Sequence, residues 1–265
     1  MRKRRFGPAD VPVVGQGTWK LHGKEEVEAL RVGVDLGLTH IDTAEIYGTE
    51  ERVAQAIEGR RDEVFLVSKV LPSNASRKGT VHACEQSLKR LRTGRLDCYL
   101  LHWPGEHPLE DTIAGFEELK KKGKIRSYGV SNFDESLLEE AVRIAGPGKI
   151  ACDQVLYNLS ERHSEARILP KCRELGAVMV GYSPFHNLPR GGELQAVALE
   201  LRATPRQVAL AFLVRLDDTF AIPKASTVEH VRENAGAATL TLTPEEISRL
   251  DRAYPIRIRS ELPVI

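Results

Sequence analysis

The feature that most constrains this chain is an alternation of short apolar runs and helical stretches. Runs rich in Val, Ile and Leu lie at 39–42, 64–69, 96–102, 125–130, 151–155, 177–182 and 219–222. Segments with helical spacing lie between them at 49–59, 78–92, 109–122, 134–145, 162–175 and 204–216, with 227–236 after the last run. An eighth run around Val13 leads into Glu25 to Leu36, where Val27, Leu30, Val34 and Leu38 recur at helical intervals. Neighbouring strands separated by a helix are parallel, and strands that stay apolar throughout are buried on both faces. Eight such units in 265 residues predict an α/β protein, a closed (β/α)8 TIM barrel forming a single domain over 1–265. The turn Gly7-Pro8-Ala9-Asp10 predicts a short N-terminal hairpin of 2–6 and 11–14 that plugs one end. A C-terminal helix at 244–253 and a tail after Tyr254-Pro255 lie beyond the last unit.

The competing architecture, an open doubly wound sheet, carries a glycine-rich dinucleotide turn after its first strand. Here Gly15-Gln16-Gly17 lacks the third glycine, and Thr18 stands where a phosphate loop ending at Gly23-Lys24 requires glycine. Composition removes further classes. Thirty-eight Lys and Arg balance 37 Asp and Glu, so nothing in the charge points to nucleic acid or an anionic membrane. The basic start Met1-Arg2-Lys3-Arg4-Arg5 is not followed by a secretory apolar core, and no run approaches the ~20 apolar residues of a membrane span. Cys84, Cys98, Cys152 and Cys172 show neither metal-ligand nor disulfide spacing. A soluble, cytoplasmic protein without a metal is expected.

In a closed barrel the carboxyl ends of the strands converge on one face. The residues ending the apolar runs are Asp42, Lys69, His102, Ser131 with Asn132, Gln154, Tyr182 and Lys224, and Tyr47 follows Asp42 by five positions. Singly each has an ordinary explanation: a cap for Asp42, a solvated lysine for Lys69, a core histidine for His102. Together they form a proton-transfer set. A phenol with a reference pKa of ~10 is a poor acid or base near neutrality. A lysine cation beside it favours phenolate, a carboxylate holds that cation, and a neutral imidazole can polarise a carbonyl oxygen.

The chain resembles the aldo-keto reductase family over essentially its whole length. The resemblance rests on Gly17-Thr18-Trp19, Ile41 to Gly48, Val67-Ser68-Lys69, Leu100 to Pro104, Gly129 to Phe133, Gln154 to Asn158, Tyr182-Ser183-Pro184 and Ile222 to Ser226, with Glu233-Asn234 downstream. The resemblance implies a barrel that binds an extended nicotinamide cofactor without a Rossmann turn. It implies Tyr47 as general acid/base with Asp42, Lys69 and His102, and Ser131, Asn132 and Gln154 around the nicotinamide carboxamide. Tyr182 would stack on the ring, Ser183 and Phe185 follow the pyrophosphate, and Lys224, Ser226, Glu233 and Asn234 take the adenosine end. Where NADPH-using members carry an arginine, this chain has His230, a weaker and pH-dependent partner for a 2′-phosphate. NADPH is the expected cofactor, with NADH as an additional one.

The loop after His102 and the tail are both short, which predicts an open pocket lined by Trp19, Tyr47 and Trp103. The expected substrates are small aldehydes and ketoaldehydes, reduced to alcohols by a monomer or weak dimer, as in bacterial members that reduce methylglyoxal-like compounds. Two other readings use the same residues. Lys69 as a Schiff-base nucleophile would give an aldolase, against which Asp42 argues by keeping the amine protonated. A cofactor-binding redox sensor with slow turnover is the non-catalytic alternative.

Overall fold

The computed structural model describes residues 1–265. An antiparallel hairpin, β1 (Lys3–Phe6) and β2 (Ala9–Pro12), precedes eight parallel strands. These are β3 (Gln16–Gly17), β4 (His40–Asp42), β5 (Phe65–Val70), β6 (Leu96–Leu101), β7 (Ile125–Ser131), β8 (Ile150–Leu156), β9 (Val178–Tyr182) and β10 (Thr219–Ala221), hydrogen-bonded in sequence order. The ends of this sheet meet. Gly15 N donates to Ala221 O at 2.8 Å, Ala221 N to Val13 O at 2.9 Å and Gly17 N to Pro223 O at 3.0 Å, which closes the (β/α)8 barrel. Two glycines permit the seam. A Cβ on Gly17 would lie 2.7 Å from Ile222 O, and one on Gly15 2.8 Å from His40 O, so the first strand fits between its neighbours only without side chains at those positions.

The helices are α1 (Lys24–Asp35), α2 (Glu50–Ala56), α3 (Arg77–Arg90), α4 (Leu109–Lys121), α5 (Glu135–Ala145), α6 (His163–Ala166), α7 (Ile168–Leu175), α8 (Gly192–Glu200), α9 (Pro205–Leu213), α10 (Val228–Ala237) and α11 (Pro244–Ala253). None is long and apolar enough to cross a membrane. Their starts are written locally. Thr204 and Thr243 each cap with a glutamine or glutamate three residues on, followed by proline in the first turn.

Strand periodicity separates two cores. Leu66, Val70, Tyr99, Leu101, Tyr128 and Val155 pack against helix residues such as Val53, Leu88, Phe116 and Leu138. Val67, Leu100, Cys152 and Val180 fall in a separate cluster with Phe6 and Phe220 inside the barrel. Two residues further along each of these strands, on the same face, stand Lys69, His102, Gln154 and Tyr182. The barrel interior is therefore apolar below and polar above. The hairpin plugs the apolar end, where Phe6 lies 4.9 Å from Phe65, 5.2 Å from Phe220 and 5.7 Å from His40, between ring centroids.

Three details differ from the sequence expectations. The hairpin's second strand begins at Ala9 rather than residue 11, because Gly7 (φ +54°) and Pro8 make a two-residue turn that pairs Phe6 directly with Ala9. The stretch 162–175 divides between α6 and α7, where Pro170 has no N–H to offer Ala166 O. Helix α8 follows a loop containing Pro189 and Gly191, where no helix is expected; it buries Leu194, Val197 and Ala198 against α9 and α11.

Candidate active site

Asp42, at the end of β4, is 1% exposed, and Lys69 on β5 is fully buried beside it. The Lys69 ammonium donates to Asp42 Oδ1 and, at 2.9 Å, to Thr43 O. The other Asp42 oxygen accepts from Gln154 Nε2 at 2.8 Å. Burial works to lower the Lys69 pKa, but the Asp42 carboxylate and the Tyr47 phenol raise it above the usual value. Lys69 is therefore a cation at neutral pH, which disfavours nucleophilic use of its amine.

Tyr47 enters from a 3-10 turn, Glu45–Tyr47, ended by Gly48 at φ +64°. Its ring centroid is 5.1 Å from Lys69 Nζ, and its hydroxyl is 3.5 Å from His102 Nε2. The sequence argument has Lys69 depress the phenol, and Lys69 does act in that direction. Burial is the larger effect, however, and the pKa is raised. Tyr47 thus holds its proton at neutrality. Burial, followed by repulsion from Lys69, pushes His102 down to about 3, so its imidazole is neutral. Its Nδ1 is buried without a partner.

Asn132, just after β7, adopts left-handed φ +61°, a conformation asparagine tolerates. That turn brings its side chain back over the strand ends. Nδ2 donates to His102 O at 3.1 Å, and Oδ1 accepts from Tyr182 OH at 2.9 Å. Ser131 Oγ donates to Gln154 O at 2.8 Å. A cavity of about 340 Å³ brings Asp42, Tyr47, His102, Ser131, Asn132, Gln154, Tyr182, Ser183 and Lys224 together, with Trp19 and Trp103 on its rim. Lys69 lies beneath it.

The remaining predicted residues lie apart from this centre. Phe185 and Glu233 line a second hollow of about 860 Å³, together with Arg206. The Arg206 guanidinium stacks on Phe185 at 3.7 Å and pairs with Glu233 at 3.1 Å. Ser226 accepts from Lys224 at 2.8 Å. Asn234 is buried with Oδ1 unpaired, and His230 is exposed on α10.

Two site residues escape the sequence argument. Ile265 lines the cavity, so the pocket is less open than the short tail predicts. Ten residues in extended form reach roughly 33 Å, enough to run from α11 to the cavity mouth. The tail is tied on the way by Arg259, whose N–H donates to His163 Nδ1 at 3.0 Å and whose guanidinium pairs with Glu161. Glu26 on α1 pairs with Lys224 at 2.5 Å. Nothing in the sequence distinguishes Glu26 from an ordinary first-turn helix acid.

Comparison with known proteins gives a consistent picture. The sequence profile described as the Aldo/keto reductase family matches residues 13–255. Methylglyoxal reductase YeaE of Escherichia coli (strain K12) is 42% identical over 264 residues, covering 94% of this chain and 93% of that protein. Glyoxal reductase of Bacillus subtilis (strain 168) is 32% identical over 250 residues, covering 91% and 88%. Among solved structures, an aldo-keto reductase from Klebsiella pneumoniae in complex with NADPH superposes with a TM-score of 0.93 at 42% identity, covering 100% of both chains.

Proposed function

The chain belongs to the aldo/keto reductase family, and from that premise we propose that it reduces small aldehydes and ketoaldehydes to alcohols with NADPH, Tyr47 being the proton donor. The observation that carries this reading is the convergence of a protonated phenol, a neutral imidazole and a buried lysine–carboxylate pair on one cavity. Relatives of this chain that reduce methylglyoxal and glyoxal support the substrate class.

The residues present suit a nicotinamide nucleotide. Gln154 gives its amide hydrogen to Asp42, which leaves its Oε1 to accept from a carboxamide. Asn234 Oδ1 is a buried acceptor without a donor, a match for an adenine amino group. When bound, the reduced nicotinamide supplies a hydride to the carbonyl carbon. The chain supplies the rest. Tyr47 OH and the Nε2–H of a neutral His102 converge on the carbonyl oxygen; His102 orients and polarises it, and Tyr47 delivers the proton that completes the alcohol. Lys69, held by Asp42 and Thr43 O, stabilises the phenolate left behind. Tyr182 presents an aromatic face for the flat ring, and Trp19, Trp103 and Ile265 bound the space for a small substrate.

The test is NADPH consumption with methylglyoxal and with 4-nitrobenzaldehyde, beside a Tyr47→Phe variant. Loss of roughly 10²- to 10⁴-fold in kcat, with nucleotide affinity retained, is expected for removal of a general acid. Full activity in the variant would refute the proton-donor role. Saturable nucleotide binding with no turnover by the wild type would refute the reductase reading.

A further inference from the structure

We propose that Glu26 tunes the nucleotide preference of this enzyme: its carboxylate occupies Lys224 and weakens the grip on a 2′-phosphate relative to a 2′-hydroxyl. The inference rests on the reading of Lys224 as a contact for the adenosine end of the cofactor.

Lys224 is not a free cation. Its ammonium is 2.5 Å from Glu26 Oε1 and 2.8 Å from Ser226 Oγ, so two of its three donors are already engaged. Glu26 is also anchored from behind. Its Oε2 accepts the N–H groups of His22 and Gly23, the latter at 3.0 Å, closing the first turn of α1. Both oxygens are committed, and the Glu26 side chain is 13% exposed against 31% for Lys224. Burial raises the carboxyl pKa, but Lys224 and those two N–H groups overcome it and pull it down to about 2. The negative charge is therefore present throughout the working pH range.

A phosphate dianion approaching Lys224 must share that ammonium with a carboxylate that cannot readily turn away. Like charges at this separation repel, and the fixed carboxylate cancels part of the attraction the lysine would offer. A ribose 2′-hydroxyl has no such conflict, because it can donate a hydrogen bond to the same carboxylate. The position from which an arginine would restore phosphate affinity holds His230, exposed on α10, in place of a fixed guanidinium. The two features act in the same direction and narrow the gap between the two cofactors.

The opposite role is equally definite. If the Glu26 contact instead pre-orients Lys224 for the phosphate, removing it would weaken NADP+ binding. The experiment is calorimetric titration of NADP+, NAD+ and 2′,5′-ADP into the wild type and Glu26→Gln at one fixed ionic strength. Glutamine keeps a carbonyl oxygen for the His22 and Gly23 N–H groups, so the helix start is retained. The expected result is tightening of NADP+ and 2′,5′-ADP by roughly tenfold, equivalent to about 1.4 kcal/mol, with NAD+ unchanged or weaker. Glu26→Asp, which retains an anionic cap but retreats from Lys224, should move the same ratio the same way by less, and decides the sign if the glutamine variant does not fold. Unchanged or weaker NADP+ binding in the variants overturns the proposal. A wild type that binds nucleotide without turning over would overturn the reductase reading alone, since the titrations would still decide the role of Glu26. A wild type that binds neither nucleotide overturns both.

Discussion

Replacing Asp42 by asparagine probes the pair on which the site rests. Lys69 is fully buried and Asp42 nearly so, and Asp42 supplies the one full negative charge bonded to the ammonium. Asparagine keeps an oxygen for Lys69 and the approximate shape, so the change is mainly one of charge. Removing one partner of a buried pair costs about 3–5 kcal/mol, and the retained hydrogen bond places the expected loss near the lower end, at about 3 kcal/mol at pH 7. The pH dependence identifies the cause. In the wild type the Lys69 pKa is raised on folding, so its stabilisation is fully present below the unfolded value of ~10.4 and is lost as pH rises through the folded value. In Asp42→Asn burial dominates, and the folded pKa falls below the unfolded one. The unfolded chain then binds more protons in the interval between them, and stability rises with pH there, by up to about 1.4 kcal/mol per pH unit. Urea denaturation of both proteins at pH 7, 8 and 9 measures this. A destabilisation below about 1 kcal/mol, equal at all three values, would show that the ion pair is not what holds Lys69 in place.

Further consequences concern the plug, the first helix and the tail. Burial, partly offset by Asp42 and reinforced by Lys69, pushes His40 down to about 4; its stabilising contribution is present above the unfolded pKa and is lost as pH falls toward 4, by about 3 kcal/mol. His40→Leu should flatten this acid limb in denaturation midpoints between pH 6.5 and 4, and an unchanged limb would refute it. Gly33→Ala should cost about 1–3 kcal/mol by urea denaturation, since its Cβ would fall 1.9 Å from Gln16 Oε1 while Gln16 Nε2 holds Leu30 O and Leu38 O. A neutral result would show that Gln16 can move. Ile265→Ala should raise KM for 4-nitrobenzaldehyde roughly three- to tenfold through lost apolar contact, with KM for methylglyoxal nearly unchanged. Equal effects on both substrates would place Ile265 outside the substrate space.

The barrel was legible because most strands are short runs rich in Val, Ile and Leu that are followed by a helical stretch, and most of them end near a polar residue. Lys69, His102, Gln154 and Tyr182 all stand at the ends of such runs, so placing the strands also places the site. What escaped depends on contacts between distant segments. Glu26 lies 198 positions before Lys224, and Ile265 reaches the pocket through a tail that Arg259 ties to His163 and Glu161. Helix α8 was hidden by Gly191 and Gly192 at its start, which read as loop. The sign of the Tyr47 shift was missed for a related reason. The residue types identify the lysine that lowers it, whereas the burial that outweighs the lysine is a property of the assembled cavity.

That sign bears on how the site works. A phenol shifted down to neutrality would spend much of its time as phenolate and serve as a base, the form needed to take a proton from an alcohol. Here burial keeps the proton on Tyr47, while the same burial, with Lys69, keeps His102 neutral. Asp42 is the main partner that keeps Lys69 charged inside the barrel. One carboxylate therefore fixes the cation, and the cation has two neighbours on which it acts. It repels a proton from His102, which leaves the imidazole a neutral hydrogen-bond donor. In the proposed mechanism it also stands beside Tyr47, where it would receive the negative charge left when the phenol gives its proton away. On the proposed mechanism this resting set of protonation states is already loaded to protonate a carbonyl oxygen, and running the reaction backwards would first require drawing a proton from a buried phenol.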